Sequence, residues 1–228
     1  MTHLFDAYDR SYTKAVQASI DFSGLPHGFF MAAKAELLRE LIETRFAPGS
    51  RPAALDVGCG IGGLHPFVRD LFGRLCGTDV SASCIEQATR NNPGVQYRAT
   101  AGAMLPYGDG EFDLVMAICV LHHVRPADWA VFIREIRRVT RRGGLVCVIE
   151  HSPFNPLTRL SVARCEFDRD AVLLRPRQTQ RLLADAGLRN IASRYFLLLP
   201  SAAPIARRIE RWFARLPLGA QYATHAEV

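Results

Sequence analysis

The amino-acid sequence predicts an α/β protein with a doubly wound, mostly parallel sheet, and three observations carry that expectation. An apolar strand over 53–57 runs straight into a glycine-dense turn, LDVGCGIGG (55–63). Strand and helix patterns then alternate as far as residue 150, as they do where parallel strands are joined by right-handed crossovers. The second strand ends in Asp79, roughly 20 positions beyond Asp56, where an open sheet of this kind sets a carboxylate against ribose hydroxyls.

Each element follows from its local pattern. Residues 1–46 are helical in pattern, FDAYDRSYTKAVQASI and then FFMAAKAELLRELIETRF, with Leu37, Leu38, Leu41 and Ile42 as an apolar stripe and APGSRP as the stop. In the turn, Gly58 and Gly60 lack a Cβ, so they take positive φ and let backbone approach a charged ligand. Leu64, Phe67, Val68, Leu71 and Phe72 recur at helical spacing and predict a helix over 63–72. A strand over 74–79 and a helix over 82–91 follow, the helix opened by a Ser83–Glu86 capping box. Strands over 95–99 and 112–119 lead to a helix over 127–140, whose apolar face is Trp129, Phe132, Ile133, Ile136 and Val139. Gly143 and Gly144 stop that helix, and a strand over 145–150 closes the core.

Beyond the core the signals weaken. HSPFNPLTR (151–159) reads as a loop, QTQRLLADAGL (178–188) as a helix closed by Gly187, and SRYFLLL (193–199) and GAQYATHAEV (219–228) as strands. Between the last two, PIARRIERWFARLPLG (204–219) places Ile205, Ile209, Trp212, Phe213 and Leu216 on one face. Arg207, Arg208, Arg211 and Arg215 surround the other, which makes a basic amphipathic helix.

Composition narrows the function classes. A chain of 228 residues, 49% apolar and without a long linker, buries one core, so 1–228 is read as a single domain. The longest apolar runs, such as FLLLPSAAPIA (196–206), fall short of the roughly 20 residues that span a bilayer, and MTHLFDAYDR lacks a signal-peptide core. Six cysteines (59, 76, 84, 119, 147, 165) show no CxxC pair or metal-ligand spacing and read as small buried hydrophobes, so no metal and a reducing cytoplasm are expected. The net charge of +6 comes almost entirely from dispersed arginines, with Lys14 and Lys34 the only lysines. No nucleic-acid-binding module or basic run longer than two residues is present, so a nucleic-acid partner is not expected.

The glycine turn alone also satisfies GxGxxG through Gly58, Gly60 and Gly63, a pattern shared with dinucleotide-binding folds. Five blocks in order separate the two: LDVGCGIGG, TDVS, LPYGDGEFDLV, LHHV and RRGGLVCVIEH. In that order and spacing the chain resembles the class I S-adenosylmethionine-dependent methyltransferases, strongly over 50–151 and more loosely elsewhere. The resemblance implies a Rossmann-like, seven-stranded sheet with an antiparallel C-terminal edge pair. It also implies a helical lid (1–50), a cofactor-binding core (52–151) and an acceptor-side segment (152–228). S-adenosylmethionine is the implied cofactor and a small molecule the implied acceptor.

The implied cofactor contacts are Gly58, Cys59 and Gly60 along the methionine part, Asp56 supporting the turn and the amino group, and Asp79 on the ribose. Val80, Gly102 and Ala103 would lie against the adenine, Cys119 beneath the sulfonium, and Tyr12 over the cofactor. Many relatives carry an acid at the position of Ala101, and this chain does not. Tyr8, Phe29, Phe30 and His122 are candidate acceptor contacts. Asn155 and Arg159 join them from HSPFNPLTR, a stretch similar to one in bacterial enzymes acting on metabolites or cell-surface sugars. His151, at the carboxyl edge of the fifth strand, is the first candidate base and His123 the second, since an imidazole accepts protons near neutrality.

Rival readings share much of this. An NAD-dependent oxidoreductase would use the same sheet and Asp79 but needs a catalytic set that the sequence does not display. A non-catalytic cofactor-binding protein fits the missing acid at Ala101. The amphipathic helix over 204–219 offers its apolar face to the domain, to a second copy in a homodimer, or to a membrane surface.

Overall fold

The computed structural model describes residues 12–100, 104–201 and 203–228. Seven strands form one sheet: β1 (Ala53–Val57), β2 (Arg74–Asp79), β3 (Gln96–Ala99), β4 (Phe112–Ile118), β5 (Thr140–His151), β6 (Arg189–Phe196) and β7 (Gln221–Glu227). Their order is β3-β2-β1-β4-β5-β7-β6. The first five pair in parallel, and β7 inserts antiparallel between β5 and β6. The predicted fold class holds, edge pair included.

The helices are α1 (Tyr12–Ile20), α2 (His27–Arg45), α3 (His65–Val68), α4 (Ala82–Asn91), α5 (Trp129–Val139), α6 (Pro156–Arg164), α7 (Pro176–Asp185) and α8 (Pro204–Phe213). Alternation along each strand builds two apolar layers. Leu55, Val57, Val115, Ala117, Val146 and Val148 face one side, where Ile133, Ile136 and Leu183 of α5 and α7 cover them. Ala54, Leu114, Met116, Leu145, Cys147 and Ile149 face the other, under Leu38, Leu41 and Ile42 of α2. Fully burying one such aliphatic side chain is worth about 1.5–3 kcal/mol, so Ile133→Ala costs about 2–5 kcal/mol.

The same alternation positions the site. Glu150 and His151 end β5 on opposite faces, so Glu150 goes beneath the turn after β4 while His151 turns toward α2. The order reverses between β1 and β4, and ligands of open α/β sheets bind at that crevice, outside the carboxyl ends of the strands.

Several boundaries differ from expectation for local reasons. The helix over 63–72 is one α-turn followed by a 3₁₀ turn, Arg69–Leu71. Leu64, Val68 and Phe72 still bury, because the tighter turn keeps the stripe on the sheet. Ser81, not Ser83, caps α4, accepting from Cys84 N at 3.2 Å. The helix before β5 ends at Val139, and Gly143 and Gly144 lie inside β5, which starts at Thr140. Gly144 belongs there because a Cβ would stand 2.9 Å from the Asp113 carbonyl oxygen of the neighbouring strand. HSPFNPLTR contains the start of α6: Asn155 caps it, accepting from Thr158 N at 3.0 Å, and Pro156 takes the first helical position.

Candidate functional site

The glycine turn after β1 is pinned to the end of β2. Gly58 N and Cys59 N donate to Thr78 O at 2.7 and 3.0 Å. Gly60 N donates to Asp79 Oδ2 at 2.8 Å and Ser81 N to Asp79 Oδ1 at 3.0 Å. Each carboxylate oxygen keeps a lone pair for a hydroxyl donor. Burial, only partly offset by those amides, raises the Asp79 carboxyl above its ordinary range.

Asp56 is buried at the end of β1. Its Oδ2 lies 3.0 Å from His65 Nε2, and His65 Nδ1 meets the Tyr97 hydroxyl. Its Oδ1 has no hydrogen-bond partner among the described residues. Beside it Gly60 takes φ +52°, and a Cβ built there meets nothing within 4 Å, so the turn is open on the side that faces the crevice. Burial, reinforced by Asp56 and Asp79, pushes the Cys59 thiol well up, so it is a neutral lining group. Val80 is exposed next to Asp79.

The far wall is histidine-rich. Cys119 follows β4 at φ +57°, a left-handed conformation unusual for a residue with a Cβ. Its amide donates to Ile149 O at 2.7 Å, and Gln221 Nε2 lies 3.5 Å from its sulfur. Burial pushes the Cys119 thiol up, but the Lys34 ammonium and His151 outweigh it and bring the thiol down to about 7. His151 Nδ1 lies 3.4 Å from the same Gln221 Nε2.

His122 is buried, with Nδ1 2.5 Å from Glu150 Oε2 and Nε2 3.5 Å from Asp168 Oδ1. Glu150 also accepts from Val120 N and Leu121 N at 3.1 and 2.7 Å. Burial opposes a charge on His122, but Glu150 and Asp168 overcome it and push His122 up to about 10. His123 shares the Asp168 oxygen at 3.4 Å. Burial and then the charged His122 bring His123 down to about 4.

One cavity of about 510 Å³ joins the two halves, reaching from Gly58 and Gly60 to Cys119, His123, His151 and Asp168. Phe29 and Phe30 line it, edge to face with ring centroids 5.5 Å apart. Asn155 also lines it, but its amide is engaged: Oδ1 caps α6, and Nδ2 donates to Leu218 O at 2.8 Å. Arg159 is exposed on α6 and does not line the cavity. Tyr8, Gly102 and Ala103 lie outside the described residues, and Tyr12 opens α1 with its side chain outside them.

Residues 55–148 match the family described as "Methyltransferase domain". Residues 55–148 therefore form a methyltransferase domain of the class I S-adenosylmethionine-dependent type. It is 34% identical over 137 residues to norajmaline N-methyltransferase of Rauvolfia serpentina, covering 54% of this chain and 46% of that protein. It is 31% identical over 148 residues to a ubiquinone biosynthesis O-methyltransferase of Chelativorans sp., covering 59% and 57% respectively. The chain thus spans about half the length of the curated relatives it matches. An S-adenosylmethionine-dependent methyltransferase of Thermotoga maritima superposes with a TM-score of 0.67 at 17% identity, covering 100% of this chain and 99% of that one.

The methyltransferase domain fits the cofactor of its family, S-adenosylmethionine. The orphaned Asp56 Oδ1 suits an ammonium, the open side of Gly60 suits the approach of the methionine part, and Asp79 suits a ribose diol. Three site groups were not singled out in the sequence. Lys34 reaches the cavity from the interior of α2, Gln221 sits on the last strand, and Asp168 lies in a turn far from the LHHV block. For Lys34 and Gln221 the only forewarning was polarity at positions that the helix and strand periods assign to the interior; Asp168, in a turn, had none.

Proposed function

We propose that the protein methylates an oxygen or nitrogen atom of a small-molecule acceptor held in the cavity between the glycine turn and the histidine wall. The observation that carries this reading is the continuity of that cavity, which has Asp56 and Gly60 at one end and His123 and His151 at the other, with Asp79 directly behind the turn through its bond from Gly60 N. The norajmaline and ubiquinone relatives support a small, ring-bearing acceptor. Bound S-adenosylmethionine supplies an activated methyl group on a sulfonium. What the chain must add is alignment and exclusion of water, worth up to about 7–11 kcal/mol when the geometry is right.

Phe29 and Phe30 wall off water and present flat apolar surface to the acceptor. His151 is the proton acceptor, at Nε2. That role needs the ring's own proton on Nδ1, where Cys119, whose thiol is down to about 7, can accept a hydrogen bond, and it needs the Gln221 carboxamide turned so that its unpartnered Oε1, not Nε2, faces that proton. His123, down to about 4, is neutral and a weak base, so it orients the acceptor through a hydrogen bond. His122, locked between Glu150 and Asp168, positions that wall without taking a proton.

The test combines calorimetric titration with S-adenosylmethionine, S-adenosylhomocysteine and NAD with a screen of phenols, amines and hydroxylated metabolites, read as S-adenosylhomocysteine release. The first two ligands should bind, Asp79→Ala should abolish that binding, and His151→Ala should lower kcat on an identified acceptor with cofactor affinity unchanged. Binding of NAD alone, or cofactor binding with no turnover on any acceptor class, would overturn the reading in favour of one of its rivals.

A second surface bears on the acceptor. α8 docks through Ala206, Ile209 and Glu210, whose carboxylate takes Leu198 N and Leu199 N at 2.6 and 2.9 Å. Of the predicted apolar face only Ile209 turns inward, and Trp212 stands 74% exposed with Ile205, Phe213 and Leu216 also exposed and Arg208 over its ring. Arginines flanking exposed apolar side chains match an anionic membrane surface, which would bring a poorly soluble acceptor to the cavity. No helix among the described residues is long and apolar enough to cross a membrane. Flotation with anionic vesicles, lost on Trp212→Ser, tests the contact; self-association of the free protein through α8 would assign the face to a second copy instead.

A further inference from the structure

His122, His123 and Asp168 come from two 3₁₀ turns, Leu121–His123 and Glu166–Asp168, stitched together by Val172 N donating to His122 O at 2.9 Å. One ligand-competent atom of each lies within 4.8 Å of the others. The two measured edges, His122 Nε2 to Asp168 Oδ1 and His123 Nε2 to Asp168 Oδ1, are 3.5 and 3.4 Å. With metal–ligand bonds of about 2.0–2.1 Å, the edge of a tetrahedral centre is about 3.3–3.4 Å. Two of the three edges therefore already have the length that a bound ion would impose.

The shell behind these groups has the matching form. Glu150, fully buried and anchored by the Val120 and Leu121 amides, takes His122 Nδ1–H, which leaves the lone pair of Nε2 pointing at the Asp168 side. A carboxylate behind a ligating imidazole is the usual outer partner of a metal-bound histidine. Charge balance is kept on binding: the ion displaces the proton that His122 otherwise carries, and its two charges then cancel those of Glu150 and Asp168. Two imidazoles and one carboxylate suit Zn²⁺ and its first-row neighbours, not Mg²⁺ or Ca²⁺, which prefer all-oxygen shells.

We infer that His122, His123 and Asp168 form a binding site for a first-row divalent metal, Zn²⁺ foremost, on the acceptor wall of the cavity. Neither the family match nor the relatives' names assign one, and the sequence spacing predicts none. All three residues line the cavity, so the remaining coordination position faces the space in which the acceptor would lie. The acceptor class deepens accordingly: a compound with an oxygen donor next to the methylated atom, such as a vicinal diol of a ring or a hydroxylated quinol, could bind the ion and lose its proton more readily. That last step rests on the methyl-transfer reading; the metal site does not.

The test uses the untagged full-length chain stripped with a chelator. Titration with Zn²⁺ followed by calorimetry should give one tight equivalent, and Co²⁺ should give visible d–d bands typical of four or five ligands, neither displaced by excess Mg²⁺. His123→Ala and Asp168→Asn, each checked for an unchanged circular dichroism spectrum, should weaken Zn²⁺ by about 100-fold or more and erase the Co²⁺ bands. Glu150→Gln should weaken binding by about 10–100-fold, and His225→Ala, on β7 against Arg45, should not. No stoichiometric binding to the native chain, or binding that survives both His123→Ala and Asp168→Asn, overturns the inference. S-adenosylmethionine affinity measured on the stripped protein keeps the two readings apart: metal bound without cofactor would sink the proposed function and leave the metal site standing.

Discussion

Gly58→Ala should destabilise the protein by about 2–4 kcal/mol, and the reason is specific enough to be tested by a second substitution. Gly58 sits at φ +75°, and a Cβ built there would stand 2.5 and 2.6 Å from the two methyl carbons of Val120. A left-handed conformation costs an alanine about 1–2 kcal/mol, and forcing a methyl into a filled space costs about 1–3 kcal/mol. The stiffer unfolded chain returns about 0.4–1 kcal/mol. Urea unfolding of wild type, Gly58→Ala, Val120→Ala and the double variant separates these contributions. The steric part should vanish when Val120 is shortened, giving a favourable coupling of about 1–3 kcal/mol, whereas the conformational part should stay. Gly60→Ala supplies the contrast, because its Cβ enters open space at φ +52°. It should cost only the conformational penalty yet weaken S-adenosylmethionine more than Gly58→Ala does once stability is allowed for. A Gly58→Ala protein as stable as wild type, or a coupling near zero, would refute the placement of the turn against Val120.

Other consequences follow from the same site. In the chelator-treated protein the His122 charge stabilises the fold fully below the unfolded histidine value of about 6.5, and that contribution is lost as pH rises through about 10. Relative to wild type, His122→Asn should therefore flatten the alkaline limb of stability between those values, as measured by urea midpoints across pH; parallel limbs would refute the ion triad. Glu150→Ala should cost about 3–5 kcal/mol by stranding that charge, readable as a lowered urea midpoint. Cys119, with its thiol down to about 7, should react with iodoacetamide at neutral pH faster than the buried Cys147, whose thiol is pushed up to about 12. Lys34→Met should slow that reaction by removing the charge that lowers the thiol, and an unchanged rate would remove Lys34 from the account.

What the sequence displays and what it hides divide along one physical line. β1, the glycine turn and Asp79 are legible because each depends on residues adjacent in the chain: an alternation, a missing Cβ, a strand that must end. The antiparallel pairing of β6 with β7 is expected only from the family resemblance, because a helix separates the two strands. The capping error is local as well. Only Ser83 has a glutamate three residues on, yet Ser81 caps the helix because Asp79 Oδ1 already holds its amide at 3.0 Å. The histidine wall belongs to another scale. His122 reads as one of a pair of equivalent histidines, yet Glu150 and Asp168 make it strongly basic while its neighbour His123 becomes a weak base. That division arises because β5 delivers a buried carboxylate under one ring only, and because the turn at Glu166–Asp168 folds back against both. Neither partner is near in sequence, and neither has a period to betray it. A buried acid at the end of an otherwise apolar strand, as in VCVIEH, is the single local sign: such a carboxylate must find donors, and the nearest unassigned ones at the carboxyl edge of the sheet are the backbone and imidazole of LHH.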